Sequence, residues 1–147
     1  MKFYINALLL CALLGASSYA HAQTAGEIRK TEQSIKQDGK YALLVMKLQL
    51  LKAGILTGEN FKNKSGKIDF QIVTCGEVVK DLSQEKELQR FVVDAVKNHG
   101  LKILICGLSV QQLGIDKSLL PAETPITDNG LTYFFGLEEQ GYKTIAL

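Results

Sequence analysis

Short apolar runs alternate with amphipathic segments along most of this chain, and this alternation limits its fold more than any other feature. Continuous apolar runs are typical of strands in a parallel sheet, and the intervening segments have helical spacing. The predicted strands are 41–46, 67–74, 101–106, 123–127 and 142–147, and the predicted helices are 49–61, 83–99, 107–113 and 128–140. We therefore predict a three-layer α/β/α domain over residues 41–147, with a five-stranded parallel sheet.

Residues 1–22 have the features of a secretory signal peptide. Lys2 supplies the positive charge, residues 5–14 are apolar apart from Asn6, and Ala20-His21-Ala22 fits a signal-peptidase site. The apolar run is shorter than the ~20 residues that span a bilayer. We therefore expect an exported, periplasmic protein that begins at Gln23. A retained N-terminal anchor and lipidation of Cys11 are the alternatives.

The charge balance of the remaining chain gives no reason to expect nucleic acid or an anionic membrane as a partner. Without Lys2, 16 basic residues face 15 acidic ones, so the net charge is close to zero.

Residues 23–40 are polar and rich in charge, and we predict a flexible or loosely docked arm there. No later apolar run is long enough to span a membrane.

Two cysteines outside the signal peptide lie where ligands bind in parallel sheets. Cys75 and Cys106 each follow a predicted strand, at the carboxyl edge of the sheet. Cys106 also precedes a predicted helix, whose N-terminal N–H groups favour a thiolate and so a nucleophile. Cys106, with Cys75 as a second candidate, is the predicted catalytic residue. The alternative is that each thiol is a small buried apolar group.

Other thiol chemistries fit the sequence less well. The chain has no Cys-x-x-Cys pair, and His99 lies at the other end of the same strand from Cys106, with six residues between them and a distance of roughly 20 Å. His99 therefore cannot be the base for Cys106 within one subunit. One histidine and two cysteines fall short of a zinc site. Glycine-rich nucleotide motifs are absent, so we predict no metal and no cofactor.

The ordered set of segments resembles the DsrE/DsrF-like family of sulfur-relay proteins, of the TusD type. The resemblance covers residues 41–147 and is carried by 67–76, by His99-Gly-Leu-Lys-Ile-Leu-Ile-Cys106, by Leu113-Gly-Ile, and by Asn129-Gly-Leu-Thr-Tyr with Leu137-Glu-Glu-Gln-Gly-Tyr142. It implies a flavodoxin-like sheet with strand order 2-1-3-4-5 and a homo-oligomer. In relay members, a cysteine after the third strand carries a persulfide, and Cys106 falls at that position.

The strand order that the resemblance implies separates the two cysteines. With the first strand between the second and third, the ends that carry Cys75 and Cys106 would be about 9–10 Å apart. A disulfide needs Cα atoms within about 7 Å, so we predict free thiols.

Three functional hypotheses remain at this point. The first is a periplasmic sulfur carrier or sulfurtransferase component that exchanges sulfur on Cys106 with a donor or acceptor protein or a small sulfur compound. The second is a non-catalytic oligomeric binding module of the same fold. The third is a redox-responsive protein that uses Cys75 and Cys106.

Overall fold

The structure is a computed structural model and describes residues 23–147. The predicted signal peptide, with Cys11, lies outside the described residues. Residues 36–147 form one compact unit, and the described residues before them belong to a separate unit. In that separate unit, the segment predicted as an arm contains helix α1 (Ala25–Gln33), which begins with a capping box between Thr24 and Glu27.

The compact unit alternates strands and helices, as the sequence pattern predicts. The elements after α1 are β1 (Lys40–Val45), α2 (Leu48–Lys64), β2 (Asp69–Thr74), α3 (Glu77–Gln84), α4 (Lys86–Lys97), β3 (Lys102–Cys106), α5 (Gly107–Gln112), a 3-10 turn (Lys117–Leu119), β4 (Ile126–Thr127), α6 (Gly130–Glu139) and β5 (Lys143–Ala146). All strand pairs are parallel. The predicted α/β class with a five-stranded parallel sheet is therefore confirmed, although two helices, α3 and α4, stand where one was predicted.

The strand order differs from the predicted 2-1-3-4-5. The observed order is β4-β3-β2-β1-β5, so β2 lies between β1 and β3, and β5 occupies the far edge beside β1. The first four strands follow one another across the sheet in one direction. The chain then returns through α6 to place β5 along β1, where Tyr41 pairs with Lys143. The order 2-1-3-4-5 contains no such return, because it places the fifth strand beside the fourth.

The central position of β2 also corrects its predicted place at a sheet edge. The alternation of Asp69 and Gln71 with apolar residues predicts an edge strand with one wetter face, but Gln71 is buried. Its side-chain amide donates to the Tyr142 hydroxyl at 2.6 Å and accepts from the Tyr133 hydroxyl at 2.9 Å. The alternation in β2 therefore reflects an internal hydrogen-bond network and not a solvated face, since buried polar groups need partners.

The two faces of the sheet are covered by different parts of the chain. Leu43 and Ile72 point to the face on which α2 packs, close to Gly54. Successive residues of a strand point to opposite faces. The other face therefore carries Ala42, Leu44 and Val73, which pack in one cluster with Phe134 and Leu137 of α6. The helices lie on both faces, consistent with the predicted α/β/α layers.

Within residues 23–147, no helix combines the length and the apolar character that crossing a membrane requires.

Two helical glycines test the packing of α2 against the sheet. A Cβ on Gly58 would lie 2.8 Å from a Phe70 ring carbon and 2.9 Å from a Leu101 methyl, whereas a Cβ on Gly136 in α6 would meet nothing within 4 Å. We expect Gly58→Ala to lower the free energy of unfolding by about 1–2 kcal/mol, because overpacking outweighs the gain in helix propensity.

The matched variant Gly136→Ala should raise the free energy of unfolding by up to about 1 kcal/mol. Urea unfolding measures both changes. Stabilisation of the same size by both substitutions would contradict the close approach of α2 to the sheet.

Candidate functional site

Neighbouring strands bring the two predicted site cysteines together. Cys106 is the last residue of β3, and Cys75 directly follows β2, where its N–H donates to the Val45 carbonyl at 2.9 Å. Thr74 pairs with Ile105, so Cys75 and Cys106 are the next residues in register. Adjacent strands are about 4.8 Å apart. The expected separation of about 9–10 Å is therefore wrong, because it came from the incorrect strand order.

Both sulfur atoms lie under α6 and not in an open crevice. Cys75 is 5% exposed and Cys106 is 2% exposed, and both are free thiols. They belong to the buried cluster on the α6 face of the sheet. Its other members are Ala42, Leu44, Val73, Phe134, Leu137 and Tyr142, with Leu108 packed against it.

The start of α6 supplies a polar contact in this otherwise apolar setting. The Gly130 N–H donates to the Cys106 Sγ at 3.2 Å. The helix cap residue, Asn129, accepts from the Leu131 N–H at 2.9 Å and so leaves the Gly130 N–H free for the sulfur. A Cβ on Gly130 would lie 2.7 Å from the Cys75 Sγ and 3.1 Å from the Cys106 Sγ. Only glycine therefore fits here without displacing the thiols.

Ser109 connects the two strand ends. Its hydroxyl oxygen accepts from the Gly76 N–H at 2.8 Å, directly after Cys75. Its hydroxyl hydrogen is free to donate, since a hydroxyl group both accepts and donates. Ser109 also lowers the pKa of the Cys106 thiol, since a donor beside a sulfur favours its charged form. Ser109 is itself buried, so its hydroxyl is held between the two cysteine-bearing segments.

The two thiols have opposite pKa shifts. Burial is the largest influence on the pKa of Cys106 and raises it, but hydrogen bonds from Ser109, Gly130 and Cys75 together lower that pKa below its ordinary value. Burial, followed by the hydrogen bond to Cys106 and the charge on that residue, raises the pKa of Cys75 to about 12. Ionisation of this pair is therefore easier at Cys106 than at Cys75.

A buried hydrogen-bond network fixes α6 over the sheet. Tyr133 of α6 and Tyr142, which follows that helix, both bond to Gln71 of β2. The Tyr142 hydroxyl also donates to the Asp69 carboxylate at 2.6 Å, and that carboxylate accepts from Lys102 at 2.8 Å. Burial and the Asp69 carboxylate raise the pKa of Tyr142 to about 12. Tyr142 therefore stays a donor across the physiological range and helps to hold α6, whose first N–H reaches the Cys106 sulfur.

Ser109 and Gly130 were not singled out from the sequence. Ser109 lies three residues after Cys106, in the first turn of α5, and this spacing could have indicated a partner for the sulfur. Nothing in the sequence near Gly130 points to Cys106, because the contact depends on how β4 and α6 return to the sheet. The structure therefore adds two residues to the two cysteines that the sequence predicted.

Other candidate groups lie elsewhere. His99 precedes β3 and is 3.5 Å from an Asp94 oxygen and 3.8 Å from a Glu59 oxygen, at the other end of the strand from Cys106. Among residues 23–147, no group of three or more His, Cys, Asp or Glu side chains is placed to hold a metal ion.

A cavity of about 620 Å³ runs along α4, away from both cysteines. A second cavity of about 580 Å³ begins beside Gly107 and extends past Thr127 and Lys117.

Comparison with known proteins supports the fold alone. The structure of a protein of unknown function, MTH1491 from Methanobacterium thermoautotrophicum, has a TM-score of 0.67 over 75% of this chain and 100% of its own, at 14% identity. The structure of a conserved protein of unknown function, BT1422 from Bacteroides thetaiotaomicron, has a TM-score of 0.57 over 72% of this chain and 94% of its own, at 16% identity. No family model matches this chain, and no curated protein sequence matches it. At such identities the likeness establishes an α/β fold and no activity.

The pH dependence of alkylation tests the pKa split between the thiols. Only the thiolate reacts, so the rate rises with pH and levels off above the pKa. We expect Cys106 to reach half of its maximal rate below the ordinary value of about 8.5, and Cys75 to stay unreactive until about pH 12. Iodoacetamide labelling followed by peptide mapping distinguishes the two sites.

Two serine substitutions test the contribution of Ser109 to this pKa, with Ser83 as the matched control. Ser109→Ala removes a donor to Cys106 and should move its half-maximal pH upward. Ser83→Ala removes another buried serine, whose hydroxyl donates to the Lys80 carbonyl and not to a thiol, and should leave that pH unchanged. A half-maximal pH for Cys106 at or above 8.5 in the unmodified protein would contradict the site geometry.

Proposed function

We propose that this protein is an exported, DsrE-like sulfur carrier or sulfurtransferase component, with Cys106 as the residue that holds the persulfide. The observation that carries the proposal is the setting of the Cys106 sulfur, which accepts from the Gly130 N–H at 3.2 Å and lies near Cys75 and Ser109 in an otherwise apolar cluster, a setting whose net effect is to lower its pKa. The thiolate is the nucleophile that sulfur transfer requires, and a lowered pKa makes it easier to form.

The proposed reaction is a displacement at a sulfane sulfur. The Cys106 thiolate attacks the outer sulfur of a donor persulfide, R–S–SH, and forms a new S–S bond. The donor's S–S bond breaks and its own thiolate, R–S⁻, leaves, so that Cys106–S–SH remains on the protein. Transfer to an acceptor thiolate is the same displacement in reverse. The step needs neither a metal nor an external oxidant.

The buried position of Cys106 requires a local movement for access. The sulfur is 2% exposed and lies beneath the turn that carries Gly130. The cavity beside Gly107 and Thr127 adjoins this turn. In the proposal, a donor approaches through that cavity when the start of α6 moves away from the sulfur. The frayed start of a helix opens at lower free energy than its centre.

The sequence resemblance supports the same assignment. Cys106 follows the third strand, which is the position of the persulfide cysteine in DsrE-like relay proteins. The signal-peptide pattern of residues 1–22 is the basis for placing the protein in the periplasm. The homo-oligomer implied by the resemblance is part of the proposal as well.

One exposed face of α6 supports self-association. Leu131 is 43% exposed and Phe135 is 66% exposed. They are four residues apart on α6 and so lie on the same face of the helix. A second copy of this chain is the partner that we propose for that face. Light scattering should show a smaller assembly for Phe135→Asp, and an unchanged molar mass would count against it.

A redox pair is the second candidate function. Cys75 and Cys106 are in register on neighbouring strands, and a separation of about 4.8 Å lies within the Cα range of a disulfide. A disulfide oxidant of the exported compartment would accept the two electrons of the thiols. The outcome would be a Cys75–Cys106 bridge with no added sulfur.

Intact mass distinguishes the two functions. After brief exposure to an inorganic polysulfide and rapid desalting, we expect a mass increase of one sulfur atom, which Cys106→Ser abolishes and Cys75→Ser retains. Cys75→Ser is the matched control because it removes the neighbouring thiol. An adduct that survives in Cys106→Ser, or no adduct in any form, would contradict the carrier proposal. A loss of two hydrogens after oxidised glutathione alone would support the redox pair.

A further inference from the structure

The position of Cys75 beside the proposed persulfide has a chemical consequence. Thr74 pairs with Ile105, and the two cysteines are the next residues of the same register. Their Cα separation of about 4.8 Å lies within the range in which a disulfide closes without backbone movement. Cys75 is thus placed to react with the inner sulfur of a persulfide on Cys106, because that inner sulfur is the Cys106 Sγ itself.

Cys75 also supplies the proton that such a reaction consumes. Both sulfurs lie beside Gly130, at 2.7 Å for Cys75 and 3.1 Å for Cys106 from the position of a Cβ on that residue, so the proton of Cys75 lies close to the Cys106 sulfur. The surrounding cluster consists of apolar side chains and the Tyr142 ring, whose hydroxyl bonds to Gln71 and Asp69. Within residues 36–147, the members of this cluster add no carboxylate, amine or imidazole of their own. The proton on Cys75 is therefore the one that the cluster offers to a leaving sulfide.

We infer that Cys75 discharges the Cys106 persulfide and releases sulfide, an inference that rests on the proposed function. The Cys75 sulfur attacks the Cys106 Sγ, the bond between that Sγ and the outer sulfur breaks, and the proton of Cys75 passes to the outer sulfur, which already carries one proton and so leaves as H₂S. Cys75 is oxidised from a thiol to a disulfide partner, and the outer sulfur is reduced to sulfide. The persulfide itself is the oxidant, so no further reagent is needed.

This step sets the fate of a persulfide that meets no acceptor. Without an acceptor thiol, the protein completes one discharge and ends as a Cys75–Cys106 disulfide. Cys75 thereby limits how long the sulfane sulfur stays on Cys106. The substrate class is a sulfane-sulfur compound in which the outer sulfur ends as sulfide. A carrier that lacked Cys75 would hold the same sulfur until an acceptor arrived.

A single-turnover experiment tests the role of Cys75. Reduced wild-type protein and Cys75→Ser are each loaded with one equivalent of inorganic polysulfide under anaerobic conditions, desalted at once, and followed by intact mass and by sulfide release. We expect the wild-type protein to lose its added sulfur, to release one equivalent of sulfide and to end two hydrogens lighter than its reduced form. Cys75→Ser should retain the added sulfur and release none.

Peptide mapping of the wild-type product supplies a measurement that depends on no variant. It should identify a peptide pair joined through Cys75 and Cys106. The inference is overturned if the wild-type protein keeps its added sulfur as long as Cys75→Ser does, or if the sulfur moves to Cys75 without sulfide release. Both outcomes leave the carrier proposal standing. If neither protein gains a sulfur atom, the carrier proposal fails and the inference fails with it.

Discussion

The pairing of the two buried thiols is the constraint on which the rest of this site depends. It exists because β2 and β3 are neighbours in the sheet and end in register, so that Cys75 and Cys106 lie side by side beneath α6. An isolated thiol in this apolar cluster would have a raised pKa, because burial disfavours the charged form. The donors from Cys75, Ser109 and Gly130 reverse that effect at Cys106. The two thiols thereby have opposite pKa shifts, lowered at Cys106 and raised at Cys75.

The return of the chain over the sheet completes the site. Helix α6 covers the face that carries both cysteines and brings the Gly130 N–H to the Cys106 sulfur. The network of Gln71, Tyr133 and Tyr142 fixes that helix to the centre of the sheet. The same connection places β5 beside β1 and so determines the strand order. Fold and site geometry thus have a common origin in a single connection, from β4 through α6 to β5.

Much of the fold could be predicted from the sequence, because hydrophobic periodicity identifies strands and helices locally. The parallel α/β class and the placement of Cys75 and Cys106 after consecutive strands both follow from that periodicity. The strand order could not be predicted, since periodicity does not specify which edge a late strand such as β5 occupies. The polar residues of β2 suggested an edge because their partners, Tyr133 and Tyr142, lie more than 60 residues away along the chain.

The residues around the sulfur were harder to predict for a related reason. Ser109 is close to Cys106 in sequence, but its importance depends on the Gly76 N–H that it also binds. Gly130 matters only because the start of α6 meets Cys106. The exposure expected for a reactive thiol was also not found, as Cys106 is buried beneath that helix. Local sequence patterns therefore predicted the two cysteines, and tertiary packing supplied the polar groups that lower the pKa of Cys106.

The titration of each cysteine by NMR tests the central claim most directly. With ¹³Cβ-labelled cysteine, and with resonances assigned through the two Cys→Ser variants, the Cβ shift of each residue reports its own ionisation. The pair described here predicts that Cys106 ionises below its ordinary value while Cys75 remains protonated to about pH 12. Ionisation of both cysteines together near about 8.5, the value of an ordinary thiol, would contradict the opposite pKa shifts of Cys75 and Cys106.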